Sequence, residues 1–201
     1  MSTAFAERFP EPARLLRKAY AEPHRAYHTW DHITALLADF TRLRDRFARP
    51  DAVEVALYWH DAVYVPRAPD NEAASAAWMV ERMQGLVPPA TLRDAETIVL
   101  ATAKHRVPSE AVAGLADDCA LFLDMDLAVL GAPEADFDAY DAAIREEFSE
   151  IPEPLYLQGR KAIMEGFLQR QRLYLTDTFH ETHDAPARAN LRRLIERLSL
   201  S

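Results

Sequence analysis

The stretch "VEVALYWHDAVYV", residues 53–65, is apolar almost all the way round a helix until a histidine and an aspartate interrupt it. A helix without a polar face has to lie inside its fold, so this segment implies other helices packed on every side of it. The same pattern repeats outward along the chain. Only 5 glycines occur and no run alternates as a strand would, while apolar residues recur at a period near 3.6 between prolines. The spacing predicts helices at about 11–21, 29–47, 51–62, 71–85, 89–105, 116–130, 134–148, 154–175 and 185–199. Asp70 or Asn71 is the expected cap before "EAASAAWMV", and Asp184 the expected cap before "APARANLRRLIERL". Residues 1–201 therefore read as a single all-α domain.

The bulk composition bounds the function. A hydrophobic content of 49% with 27% charged residues describes a globular chain. Its formal net charge of −9 argues against a nucleic-acid polymer or an anionic membrane as partner, since both call for a basic surface. It leaves room for a small anion held by a few local cations. Cys119 is the only cysteine, so a disulfide within the chain and a cysteine zinc cluster are both excluded. The start "MSTAFAERFPEP" has no apolar signal core, and no later run is long enough to span a bilayer. The expected compartment is the cytoplasm.

Three stretches place polar groups where apolar ones belong. His60 and Asp61 close the buried segment, where an unpartnered carboxylate is costly. "RAYHTWDHI", residues 25–33, sets His28 and His32 four positions apart, on one face if both are helical. "ALFLDMDLAVLG", residues 120–131, carries Asp124 and Asp126 in an apolar helix read as ending at a Gly131 C-cap. These two aspartates point about 200° apart, so only one can face a shared site. The bulkier apolar neighbours of Asp126 favour it as the deeply buried carboxylate, with Asp124 as the alternative. A second His-Asp pair, His183-Asp184, reads as a helix cap before Pro186. Two imidazoles and two carboxylates from three helices suit a divalent ion such as Mn, Fe, Co, Ni, Zn or Mg, with water in the remaining positions.

The ordered pattern His32, His60-Asp61 and a distant Asp126 resembles the HD superfamily of metal-dependent phosphohydrolases. "YHTWDHI", "ALYWHDAVY", "DNEAASA", "TAKH", "FLDMDLAVLG", "FLQRQRLY" and "ARANL" are similar to a bacterial HD subfamily of predicted metal-dependent phosphohydrolases. The resemblance implies an HD-type helical bundle with His32, His60, Asp61 and Asp126 (Asp124 as alternative) as metal ligands. The first stretch is also similar to the Tyr-His-x-x-x-His element of cyclic-nucleotide phosphodiesterases, which implies that His28 donates a proton to the leaving oxygen. The catalytic residues expected are thus His28 and Asp61. Arg25, Lys104 and His105 are the candidates for holding phosphate.

The implied activity is hydrolysis of a small phosphorylated metabolite or nucleotide by metal-activated water. Two rivals stand beside it. One is a metal- or nucleotide-binding module without turnover. The other is a diiron oxygenase of HD type, which needs more imidazoles than the single extra His105 between Asp61 and Asp126. Arg160, Arg170, Arg188 and Asn190 match the subfamily pattern and read as helix-to-helix ties. Tyr27, Trp30 and Tyr64 read as core or pocket wall.

Overall fold

The computed structural model describes residues 3–200, and it is helical throughout. The helices run in the order α1 (Thr3–Arg8), α2 (Pro10–Ala19), α3 (Trp30–Leu43), α4 (Pro50–Trp59), α5 (Asn71–Met83), α6 (Pro89–Thr102), α7 (Ala113–Asp126), α8 (Glu134–Glu147), α9 (Glu153–Leu168) and α10 (Asp177–Leu200). Short 3₁₀ turns follow α3 at Arg44–Arg46 and α7 at Ala128–Gly131. Among the described residues the only β-type pairing is an isolated bridge between Gln84 and Val87. The all-α expectation holds. No helix among the described residues is long and apolar enough to cross a membrane.

Prolines open α2, α4 and α6. A proline costs nothing at a first helical position, because its missing N–H would have no intrahelical partner there. The residues group into two compact units, one ending at Leu123 and one beginning at Asp124.

In the first unit, every residue of α4 from Ala52 to Trp59 is buried, Glu54 included. This is the all-round burial that residues 53–65 imply. Helices α3 and α6 pack against α4, and α5 packs against α6. Helix α1 lies outside the sequence expectation, since six residues are too few to hold a helix by propensity alone. Phe5 supplies the missing stabilisation. It is fully buried and stacks on Tyr58 with ring centroids 3.9 Å apart. The expected cap before α5 also differs. Neither Asp70 nor Asn71 caps α5 by side chain; Asn71 instead accepts from Val65 N at 2.9 Å and donates to Val65 O at 3.0 Å.

In the second unit, α10 packs against α9 and against the Ala128–Gly131 turn. Gly131 is not a left-handed cap. A Cβ there would lie 2.8 Å from the backbone oxygen of His183, so close approach to α10 demands the glycine. Helix α10 begins at Asp177, and His183, Asp184 and Pro186 all lie inside it. Asp184 is therefore no cap. Its carboxylate accepts from Leu173 N at 3.2 Å and from Arg188 Nε at 2.6 Å. Arg188 and Asn190 are ties, as read. Arg188 donates to the carbonyls of Leu168 and Arg170, and Asn190 to those of Leu130 and Ala132.

Candidate metal centre

His32 sits in the first turn of α3, and His60 is the residue that caps the C-terminal end of α4, with Asp61 next. His60 Nε2 lies 3.2 Å from His32 Nε2 and 3.0 Å from Asp61 Oδ2, and His32 Nε2 lies 3.8 Å from the same oxygen. His60 is 1% exposed and His32 7%, so little water is available to separate these groups.

The tautomer of His60 follows from its other nitrogen. His60 Nδ1 is 3.0 Å from the carbonyl oxygen of Leu57, which can only accept, so Nδ1 carries the hydrogen. In the neutral ring, Nε2 then presents a lone pair toward His32 and Asp61. A neighbouring carboxylate oxygen offers only more lone pairs. Such a cluster of ligating atoms, at the carbonyl end of α4 where the helix dipole is negative, suits a cation. The ligand atoms of His32, His60 and Asp61 all lie within 4.8 Å of one another, and the three could hold a metal ion. Two imidazoles and one carboxylate match the chemistry of first-row divalent metals, with Leu57 O orienting one ring.

The chain around these ligands is tightly fixed. Arg25 donates to Asp61 O at 2.8 Å, to Ala62 O at 3.1 Å and to His28 O at 3.1 Å, and its Nε pairs with Glu22 at 3.1 Å. Its side chain is wholly out of solvent. The phosphate-binding expectation for Arg25 thus gives way to a structural tie, because its donors are committed to carbonyls of this unit and to Glu22. Ser75 holds the following segment, accepting from Val63 N at 3.0 Å and donating to Val63 O at 3.2 Å. Ser75 lies in "DNEAASA", whose reading as a plain helix start carries no hint of this role.

His28 is not on the same helix as His32. Thr29 caps α3, accepting from Asp31 N at 3.3 Å, and leaves His28 in the preceding turn. The rings remain near one another, with centroids 6.2 Å apart. His28 stacks on Tyr64 at 4.2 Å, and His24 lies on Tyr64 at 6.3 Å while contacting the Tyr64 carbonyl through Nε2 at 2.7 Å. Tyr64 therefore forms an aromatic wall, and His24 is a neighbour that the motif spacing did not single out.

Lys104 and His105 follow the end of α6 instead of closing it. Lys104 is exposed, while His105 is half-buried with a positive φ of 45°. His105 is not part of the possible metal-holding group formed by His32, His60 and Asp61.

The two candidate aspartates belong to the second unit, and their burial reverses the expectation. Asp124 is 1% exposed, whereas Asp126 is half-buried. Asp124 accepts from Leu175 N and Thr176 N at 2.7 Å each and from the Thr176 hydroxyl at 2.6 Å. Those donors lie just ahead of α10, so a buried carboxylate there meets N–H groups and needs no cation. Burial nevertheless raises its carboxyl above the usual range, against the opposing pull of these hydrogen bonds and of Arg172. Asp124 is thereby accounted for as a structural acceptor.

No protein-family model, no curated protein and no solved structure matches the chain.

Proposed function

We propose that this protein is a metal-dependent phosphohydrolase acting on a small phosphorylated metabolite or nucleotide. The observation that carries the reading is the convergence of His60 Nε2, His32 Nε2 and Asp61 Oδ2 at 3.0–3.8 Å, a group that could hold a metal ion. The fourth ligand in the proposal, Asp126, is taken from the sequence resemblance. A divalent ion bound there supplies hydroxide near neutral pH and polarises a phosphoryl oxygen.

The protein's own residues supply the rest. His28, held against Tyr64, donates a proton to the leaving oxygen as the P–O bond breaks. The carbonyl of Leu57 keeps His60 in its ligating tautomer, and Arg25 fixes the backbone at Asp61 and Ala62. Lys104 and His105 are the proposed phosphate contacts.

Purified protein supplied with each divalent metal in turn and challenged with nucleotides and phosphomonoesters tests the reading. Phosphate release supported by Mg or Zn as well as Mn or Co, and undiminished without oxygen, is the expected result. A binding module without turnover is the second reading. The commitment of Arg25 to main-chain carbonyls favours it, because one expected phosphate cation is removed. Saturable nucleotide binding with no turnover under any metal would establish it instead.

A further inference from the structure

The described residues with a positive φ are Gly85, Arg67 at 74° and His105 at 45°. The left-handed region belongs to glycine by default, because a Cβ there crowds the following carbonyl. Two basic side chains thus stand where glycine is expected. His105 is the left-handed residue of a Schellman cap on α6: its N–H donates to Thr102 O at 3.2 Å, and Arg106 N–H donates to Ala101 O at 3.4 Å. Arg67 is the third residue of a turn that Ala68 N–H closes on Val65 O at 3.0 Å, with Pro66 in second place. A positive φ in third place makes it a type II turn, for which glycine or asparagine is the usual choice.

Both positions lie at the metal-bearing end of the first unit. Helices α4 and α6 begin together: Arg49 pairs with Asp94 at 3.1 Å, and Pro50 and Asp51 line one cavity with Ala90 and Thr91. The helices pack side by side from there, so they end together as well. The same number of residues leads from Arg49 to His60 as from Asp94 to His105. Arg67 follows shortly after Tyr64, the ring on which His28 stacks, and that length of chain spans at most about 11 Å. The turn is also pinned, since Asn71 holds the N–H and the carbonyl of Val65 and Ser75 holds those of Val63.

Backbone strain of this kind persists only where the surroundings enforce it, and it concentrates at ligand clamps and active sites. Arg67 is exposed, and among the described residues no hydrogen bond or ion pair occupies its guanidinium. Arg25, by contrast, is committed to main-chain carbonyls and Glu22.

We infer that Arg67 binds the phosphate group of the substrate in place of Arg25, and that the turn keeps an arginine where glycine would be less strained for the sake of that contact. The inference rests on the phosphohydrolase reading for its substrate. A guanidinium offers a phosphate two parallel charge-assisted hydrogen bonds. In a chain of net charge −9, a local cation is also what lets an anion approach.

Arg67→Gly separates the contact from the fold. Glycine relieves the left-handed backbone, so the variant is expected to melt no lower than the wild type. Calorimetric titration of the full chain with inorganic phosphate, in the presence of Mg, is expected to show affinity reduced about 10-fold. On any phosphate ester that the wild type hydrolyses, KM is expected to rise by a similar factor, with a smaller effect on kcat. Arg67→Lys, which keeps the charge and loses the fork, is expected to fall between the two. Wild-type phosphate affinity in Arg67→Gly, or a melting temperature well below the wild type, would overturn the inference. A wild type that releases phosphate, beside an Arg67→Gly variant with unchanged KM, sinks the inference and leaves the hydrolase reading standing. A wild type that binds phosphate through Arg67 and hydrolyses nothing sinks that reading alone, and one that neither binds nor hydrolyses sinks both.

Discussion

Arg25 Nη1 donates to the main-chain oxygen of Asp61 at 2.8 Å, across 36 residues of sequence. The same guanidinium reaches Ala62 O and His28 O. One side chain thereby joins the turn that carries His28 to the segment that follows α4. A planar fork with five donors can serve acceptors in several directions at once, which a single ammonium cannot do.

Arg25→Met is expected to leave the carbonyls of Asp61, Ala62 and His28 without their donor, at a cost of about 3 kcal/mol. Arg25→Lys is expected to recover less than half of that loss. Denaturant midpoints at constant m-value measure both, and metal affinity should fall in parallel because Asp61 loses its anchor. A wild-type midpoint in Arg25→Lys would show that charge alone, and not the fork, matters.

Elemental analysis of protein prepared without chelator is expected to find about one divalent ion per chain. His60→Ala and Asp61→Ala should each lose it. Chelation of the wild type should lower its stability by about 2.7 kcal/mol if free metal had stood at 100 times its Kd. His28→Ala should retain the ion and lose roughly 10²-fold in turnover, the scale of a missing general acid. Metal loss in His28→Ala would exchange the roles of His28 and His32.

Asp124→Ala separates a structural acceptor from a ligand. It strips the N–H groups of Leu175 and Thr176 and the Thr176 hydroxyl of their acceptor, and about 2 kcal/mol of stability should go with it. Metal content should stay at the wild-type level. Asp126→Asn should show the reverse, with metal reduced and the denaturant midpoint little changed. Metal loss confined to Asp124→Ala would restore Asp124 as the fourth ligand.

The response to acid has two components of opposite sign. Hydrogen bonding from Arg193, then the charges of Arg193 and Arg197, hold the Asp138 carboxyl below its ordinary value of 3.8 despite a little burial. Folding then favours the ionised form, so the contribution is present above that value and is lost as pH falls through the lower folded-state pKa. Asp124 behaves oppositely. Its carboxyl is raised by burial, so its contribution is present below 3.8 and is lost as pH rises through the raised value. Asp138→Asn should therefore cost stability at neutral pH and little at the acid end. Thermal melting at a series of pH values measures this, and an equal loss at every pH would contradict it.

Local pattern alone was enough for the helical class and for singling out His32, His60 and Asp61, the group that could hold a metal ion. Periodicity and proline position are relations between residues a few positions apart, and they determined α4 as a buried helix with His60-Asp61 at its end. They also failed where local rules are incomplete. Six residues of α1 are too few to show a period, and Phe5 holds them only through Tyr58. Pro186 reads as a helix start, yet α10 begins nine residues earlier, at Asp177. There Asp124 takes up the N–H groups just ahead of the helix, and Asp184 is spent on Leu173 and Arg188.

The roles of the polar residues were decided by tertiary structure. The amino-acid pattern around Asp124 and Asp126 ranks their faces by bulk, and on that measure Asp126 belongs inside. What buries Asp124 instead is a pair of backbone donors 51 and 52 residues away. Arg25 likewise reads as a cation free to meet phosphate, until the fold brings the Asp61 carbonyl within 2.8 Å of it. A side chain's periodicity tells which way it points along its own helix. Whether a donor, an acceptor or a cation waits there depends on distant segments, and only their packing supplies that.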